Sequence, residues 1–420
     1  MNQNHSTNRD QPQNVPVGYK QTEVGLIPDS WVCKPLFEFV SYTNGKAHEN
    51  CITDCGKFTV VNSKFISTEG QVCKYSNQSL CEATIGDVLM VMSDVPNGRA
   101  IAKCFLVSHN DTYTVNQRIC ILRPKNIDGR LLFYKLNRNP FYLSFDDGVK
   151  QTNLRKSDVL SCHLGIPNSQ TEQQSIATAL SDADAYIESL EKLIAKKCAI
   201  KKGVMQELLT GKRRLPGFSG EWGETTLGEI GNFKNGLNKN SDAFGHGSPF
   251  VNLMDVFGVN AINSTSHLGL VASTKLDQEV YDLRQGDVLF IRSSVKPSGV
   301  GLTAVVECDL PKTVYSGFLI RFRDDGILDD GFKKHCFYAE DFRKKVIAAS
   351  SVSANTNINQ NALQALTLLL PPTKEEQIAI ANVLNDIDTD ITAHEAKLSK
   401  ARLIKQGMMQ ELLTGRIRLI

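Results

Sequence analysis

The feature that most constrains this chain is an internal repeat held at a constant offset of 204 positions, Pro167 to Pro371. Pro167-Asn-Ser-Gln-Thr-Glu172-Gln173 returns as Pro371-Pro-Thr-Lys-Glu-Glu376-Gln377. The copies keep step through Ile176/Ile380, Leu180/Leu384, Asp182/Asp386, Asp184/Asp388 and Ile187/Ile391, and both finish in Met-Gln-Glu-Leu-Leu-Thr-Gly, at 205–211 and 409–415. Two copies this alike must be built the same way, so any fold for the chain has to contain the same element twice.

Each copy reads as a long helix. Ser169 with Glu172, and Thr373 with Glu376, have capping-box spacing directly after prolines that cannot continue a preceding element. In the second copy Ile380, Leu384, Ile387, Ile391, His394, Leu398 and Ala401 recur at alternating spacings of four and three; Ile176, Leu180, Ala183, Ile187, Leu190 and Ile194 match them in the first. That is a coiled-coil seam, narrow enough that pairing the two rods is the simplest way to remove it from water. Gly211 and Gly415 close the helices, since glycine accepts the left-handed position after a helix end. His394, Lys201 and Lys405 border the seam, where polar residues set register. Lys192, Lys196, Lys197, Lys201 and Lys202 form a basic run that reads first as a solvated face and alternatively as a phosphate or partner contact.

The segments around the rods echo one another more faintly. Thr84-Ile-Gly86-Asp87-Val-Leu-Met90 parallels Arg284-Gln-Gly286-Asp287-Val-Leu-Phe290, and Thr152-Asn153-Leu154 parallels Thr356-Asn357-Ile358. Residues 58–61, 88–92, 118–122, 288–292 and 318–322 read as strands, whereas 131–136 and 331–349 read as helices, so each segment is mixed α/β. The expected order is a flexible polar tail over 1–23, a first domain over 24–166, a rod over 167–215, a second domain over 216–370 and a second rod over 371–420. No apolar run approaches the ~20 residues of a membrane helix and residues 1–21 lack the apolar core of a signal peptide, so a cytoplasmic protein without membrane contact is expected. Eleven cysteines without a CxxC pair read as reduced thiols; a zinc site from Cys51, Cys55, Cys73 and Cys81 would have spacings foreign to common fingers.

The order of domain, capped rod, domain, capped rod, with its repeated Met-Gln-Glu-Leu-Leu-Thr-Gly ends, Gly-Asp-Val-Leu strands and the Pro371–Gln377 rod start, resembles the specificity subunit of type I restriction-modification systems. The resemblance runs from about Val24 to the end. Asn168 departs from it where the second copy has Pro372, which affects only how the chain enters the first rod. The resemblance implies an α+β architecture of two target recognition domains, each followed by a long helix, the helices pairing as an antiparallel coiled coil with pseudo-twofold symmetry. Each domain would read one half of an asymmetric, bipartite site in double-stranded DNA. Partners would be two methyltransferase and two restriction subunits, which would carry S-adenosylmethionine, ATP and Mg; this chain would carry no cofactor, metal or catalytic residue.

Base reading needs Arg, Lys, Asn, Gln, Ser or Thr on loops held by a rigid frame. The loops that follow the two Gly-Asp strands supply Ser93, Asn97 and Arg99 in one domain and Arg292, Ser293, Ser294, Lys296 and Ser298 in the other. The segments before the rods supply Gln151, Thr152, Asn153 and Arg155, and Asn355, Thr356, Asn357 and Asn359. Each of these residue types also serves as a turn or cap. Charge adds little: the chain is +2 overall, and 28–166 holds 16 Lys/Arg against 13 Asp/Glu while 217–370 holds 14 against 17. Phosphate contacts would then depend on local placement and on added subunits. Asn139-Pro-Phe-Tyr142 approximates an amino-methyltransferase motif but lacks its second proline and any glycine-rich cofactor loop, and reads as a surface helix-to-turn segment. The other class open to such a chain is a coiled-coil scaffold that binds proteins without DNA specificity.

Overall fold

The computed structural model describes residues 15–96 and 98–420. Its two compact units are not contiguous in sequence: the first runs to Leu190 and takes back Lys397–Ile420, and the second is Glu191–Ala396. Both 39-residue helices, Gln170–Leu208 and Lys374–Leu412, are therefore divided between units. At ~1.5 Å per residue each is about 58 Å long.

In the first unit a four-stranded antiparallel sheet orders Val40–Asn44, Ile119–Pro124, Val88–Val91 and Cys104–Leu106. A second, three-stranded sheet places Phe58–Val61 between Tyr113–Val115, parallel to it, and Tyr75–Ser76. The second unit repeats the plan: Gly231–Asn235, Leu319–Asp324, Val288–Ile291, Thr303–Val306 and Ala261–Ile262 form one sheet, and Phe244–Val251, Gly269–Val271 and Val314–Tyr315 another. The Gly-Asp motif explains itself here. Gly86 and Gly286 sit at φ +88° and +84°, which favours glycine, and each following aspartate is 1% exposed. Asp87 accepts from Thr84 N at 2.8 Å and from Arg123 Nε and Nη2 at 2.9 and 2.8 Å. Asp287 accepts from Arg284 N at 2.8 Å and twice from Arg323 at 2.6 Å. A buried carboxylate thus ties the turn to the neighbouring strand, and the guanidinium satisfies its charge.

In each unit an early strand of the globular part pairs antiparallel with its last strand, Trp31–Pro35 with His163–Pro167 and Gly223–Thr226 with Thr367–Leu370, so the chain leaves beside the point where it came in and runs straight into a long helix. Ile176 and Leu180 share a core with Trp31, Leu131, Tyr134 and Leu412. Ile380 and Leu384 share one with Leu208, Leu209, Phe332 and Cys336. Ser169 Oγ and Thr373 Oγ1 accept from Glu172 N and Glu376 N, both at 3.3 Å, as the capping boxes require. The glutamates do not reach back. Glu172 instead receives Trp31 Nε1 at 3.4 Å and the guanidinium of Arg418, and Glu376 receives Arg214 Nε and Nη2 at 2.5 and 2.7 Å. A bidentate guanidinium outcompetes a single backbone N–H for a buried carboxylate. Two further carboxylate–lysine pairs lie one in each unit, Asp184 with Lys405 and Asp388 with Lys201 at 2.5 Å; Lys197 pairs with Asp390.

Several expectations need correction. The tail expected over 1–23 ends earlier, because Tyr19–Thr22 forms a hairpin with Gly25–Pro28 and Tyr19 Oη donates to Gly415 O at 3.1 Å; residues 1–14 lie outside the described residues. The single helix expected over 331–349 is two, Asp330–Cys336 and Glu340–Ala348, parted at Ala339, whose ψ of 136° leaves the helical range. Asn139 does cap a short helix, Pro140–Leu143, by accepting from Phe141 N at 2.9 Å, but Tyr142 is fully buried with its hydroxyl on Val159 O, so the segment belongs in part to the core. Among the described residues no group of three or more His, Cys, Asp or Glu is placed to hold a metal ion; the Cys51, Cys73 and Cys81 thiols face Gln78, Gly70 O and Asn44 O respectively. No helix of the described residues is long and apolar enough to cross a membrane.

Candidate nucleic-acid interface

The candidate residues, far apart in sequence, meet on small two- or three-stranded ribbons. Ser93–Asp94 pairs antiparallel with Thr152–Asn153, and Ser293–Ser294 with Thr356–Asn357, the latter also pairing with Ser351–Val352. The register is the same in both units: Ser93 faces Asn153 and Ser293 faces Asn357. The ribbons grow directly from the Gly-Asp strands, so side chains on them are held by the buried sheet rather than by a free loop.

In the first unit the outward polar groups bond to one another. Ser93 Oγ donates to Asn153 Oδ1 at 2.6 Å, and Gln151 Nε2 donates to Ser93 Oγ at 2.8 Å and Asn153 Oδ1 at 3.2 Å. The following loop is organised by Asp94, whose carboxylate accepts from Val95 N, Ala100 N and Ile101 N at 2.9, 2.6 and 3.0 Å. Gly98 is required there, since a Cβ would lie 2.2 Å from that carboxylate. Arg99 is carried on the loop, exposed. Asn97 lies outside the described residues. Arg155 is exposed, and its backbone N donates to Asp158 at 2.8 Å to start the helix Lys156–Leu160.

The second unit holds its loop differently. Gly299 packs on Ser294, where a Cβ would lie 2.3 Å from Oγ, and Arg343 donates to the carbonyls of Ser298, Val300 and Gly301 at 3.2, 2.6 and 2.7 Å. Burial pulls the Arg343 guanidinium below its ordinary pKa. Lys296 and Ser298 are exposed, while Arg292, Ser293 and Ser294 are half-buried. Asn355 is exposed and its carbonyl receives Asn357 Nδ2 at 3.0 Å.

Three candidates are structural. Thr152 and Thr356 are 6% and 2% exposed, because neighbours on a strand alternate faces and Asn153 and Asn357 take the outward one. Thr152 Oγ1 donates inward to Asp146 at 3.0 Å. Asn359 caps the helix Gln360–Gln364 by accepting from Ala362 N at 2.9 Å. Two exposed neighbours of the ribbons were not among the candidates. Arg118 O accepts from Met92 N at 3.0 Å, and Phe318 O accepts from Arg292 N at 2.8 Å, so Arg118 and Phe318 hold the same place in the two units. The offset of 200 that aligns the Gly-Asp motifs also aligns Arg118 with Phe318, and could have drawn attention to them.

Comparison with known proteins follows the same division. The family model "Type I restriction modification DNA specificity domain" matches twice, over residues 28–197 and 219–401. The chain is 24% identical to two proteins of Methanocaldococcus jannaschii named as the MjaX and MjaVIII type I restriction enzyme specificity subunits, in each case over 95% of this chain and 96% of the relative. Its fold is similar to the type I restriction-modification S subunit from M. genitalium, with a TM-score of 0.59 at 16% identity over 91% of this chain and 96% of that one. A chain from a structure of type I R-M complex assembly and conformational transition gives a TM-score of 0.55 at 18% identity, over 93% and 99%. With a model matched across each half and a mixed α/β unit in each, the chain belongs to the type I restriction-modification DNA specificity family.

Proposed function

We propose that this chain, a non-catalytic DNA-specificity subunit by family, reads an asymmetric bipartite site in double-stranded DNA, one half per domain, through the outward-facing residues of the two ribbons. The observation that carries this reading is that one frame occurs twice, with a serine facing an asparagine at its centre in both units and different polar residues flanking that pair: Gln151 and Arg155 beside Ser93 and Asn153, Asn355 and Lys296 beside Ser293 and Asn357. A shared frame with unlike flanking groups suits a target whose halves differ. Arg99, Arg292, Ser294 and Ser298 are placed around the same ribbons to meet base edges or phosphates.

The long helices pair, in this reading, as an antiparallel coiled coil that fixes the unread spacer. Support comes from pairs that obey the 204-residue repeat: Glu172 with Arg418 and Glu376 with Arg214, Asp184 with Lys405 and Asp388 with Lys201. In each pair an early residue of one helix meets a residue near or just past the end of the other. Two methyltransferase subunits, and through them two restriction subunits, dock on this frame and bring S-adenosylmethionine, ATP and Mg. The similarity to a chain taken from a study of complex assembly in a type I R-M system is in keeping with that.

The test is co-expression with the cognate methyltransferase chain, copurification, and mapping of N6-methyladenine in the host genome. A single bipartite motif that disappears without this chain is the expected result. A stable chain that copurifies with proteins yet directs no motif would be a scaffold, and the reading would fall.

A further inference from the structure

Arg118 and Phe318 occupy register-equivalent positions. The backbone of Arg118 bonds to Met92, and Met92 O accepts from Leu154 N at 2.8 Å; the backbone of Phe318 bonds to Arg292, and Arg292 O accepts from Ile358 N at 2.9 Å. Each cross-section therefore has three strands abreast, with position 118 or 318 beside the ribbon that carries the polar candidates. The chemistry is inverted between them. The first unit has an exposed arginine across from Met92, the residue that precedes Ser93 of the Ser93–Gln151–Asn153 network. The second has a phenylalanine 59% exposed, together with Val295 at 82%, Met254 at 72% and Phe257 at 50%, around a cavity of about 500 Å³ rimmed by Ser293, Ser294 and Asn355.

We infer that positions 118 and 318 are specificity-determining: Arg118 reads a guanine in one half-site, and Phe318 with its apolar neighbours contacts a thymine methyl in the other. This rests on the DNA-reading function proposed above. The major-groove edge of guanine offers two acceptors, N7 and O6, that a guanidinium fork matches, whereas thymine is set apart by a C5-methyl that apolar side chains can cover. A large aromatic left in water at a fixed reading position has no role in its own core, which is closed beneath it by Leu319 and Ile291, both fully buried. The apolar surface is rimmed by hydroxyl and amide groups from both ribbon strands and flanked by exposed Lys296, as suits a base-pair edge with its phosphate nearby.

The assembled methyltransferase complex tests this with Arg118→Ala, Arg118→Lys and Phe318→Ala. Because both side chains are exposed, melting temperatures close to wild type are expected. Methylation mapping should show Arg118→Ala relaxing one G·C position in one half-site only, with Arg118→Lys failing to restore it, and Phe318→Ala relaxing a T·A position in the other half only. Replacing that thymine by uracil in a synthetic duplex should weaken binding of the wild-type complex by roughly fivefold or more and leave the Phe318→Ala complex unchanged, while losing the guanine contact should cost about tenfold to a hundredfold. An unchanged motif with both folded variants overturns the inference and leaves the DNA-reading function standing. Loss of methyltransferase from the Phe318→Ala complex, with the motif intact in what remains, would assign the apolar surface to a protein partner and overturn the thymine assignment. A wild-type complex that directs no motif would overturn the functional reading and this inference together.

Discussion

Glu172 and Glu376 are 2% and 1% exposed, and each is neutralised by one arginine that the repeat places at the same distance along the chain. Removing one partner of a buried pair leaves an uncompensated charge, so Arg214→Met and Arg418→Met should each cost about 3–5 kcal/mol of stability, while the double change Arg214→Met with Glu376→Gln should recover part of the loss, as a denaturant titration would read. Lys135 makes the stability depend on pH. Its ammonium lies 4.9 Å from the Trp31 ring centroid and donates to Gly165 O at 2.6 Å and to Leu413 O, and burial pushes its pKa down to about 7 from 10.5. Folding therefore expels a proton that the unfolded chain keeps up to about pH 10.5, and the penalty shrinks as pH rises above about 7. Wild-type stability relative to Lys135→Met should accordingly climb between pH 7 and 10, by at most about 1.4 kcal/mol per pH unit. Parallel melts at pH 7, 8 and 9 that keep a constant difference would refute this. The glutamates were legible as repeat residues and misread as capping groups; their arginine partners lie 246 and 162 positions away, a separation that no local pattern encodes.

The long helices show how far periodicity reaches. The helices start and end close to where they are expected, with Gly211 and Gly415 at φ +67° and +74°. Burial along the seam is uneven. Ile176, Leu180, Ile380 and Leu384 are at most 1% exposed because the globular parts pack on them, whereas Ile187 and Leu398 further along are only half-buried. Leu384→Ala should thus cost about 2–5 kcal/mol and Leu398→Ala clearly less, compared by thermal unfolding of the two variants. The ribbons were harder to foresee. Two-residue strands such as Ser93–Asp94 and Thr152–Asn153 have no periodicity to detect, and only their pairing decides that Asn153 faces out and Thr152 in.

At the scale of the molecule, near-neutral charge and a DNA-specificity role combine into a measurable expectation. The isolated chain, at +2 overall, should show a shallow dependence of log K on log salt, and the complex with its partners a steeper one, since each neutralised phosphate adds about 0.9 to the slope. Equal slopes from filter binding or anisotropy would place the phosphate grip on this chain instead. The sequence by itself determined the two-fold plan: a repeat of fixed period, capped helices, a Gly-Asp strand in each half and the family these imply. Local chemistry suffices for those, because caps, glycine turns and hydrophobic period act over a few residues. Only the tertiary structure decided that the compact units divide both helices, that Arg214 and Arg418 seat on the glutamates that begin them, and that Arg118 and Phe318 stand at one position beside the two ribbons. Those features depend on which strands lie abreast and which buried charges find partners, and such choices are settled by packing and desolvation across hundreds of residues of chain.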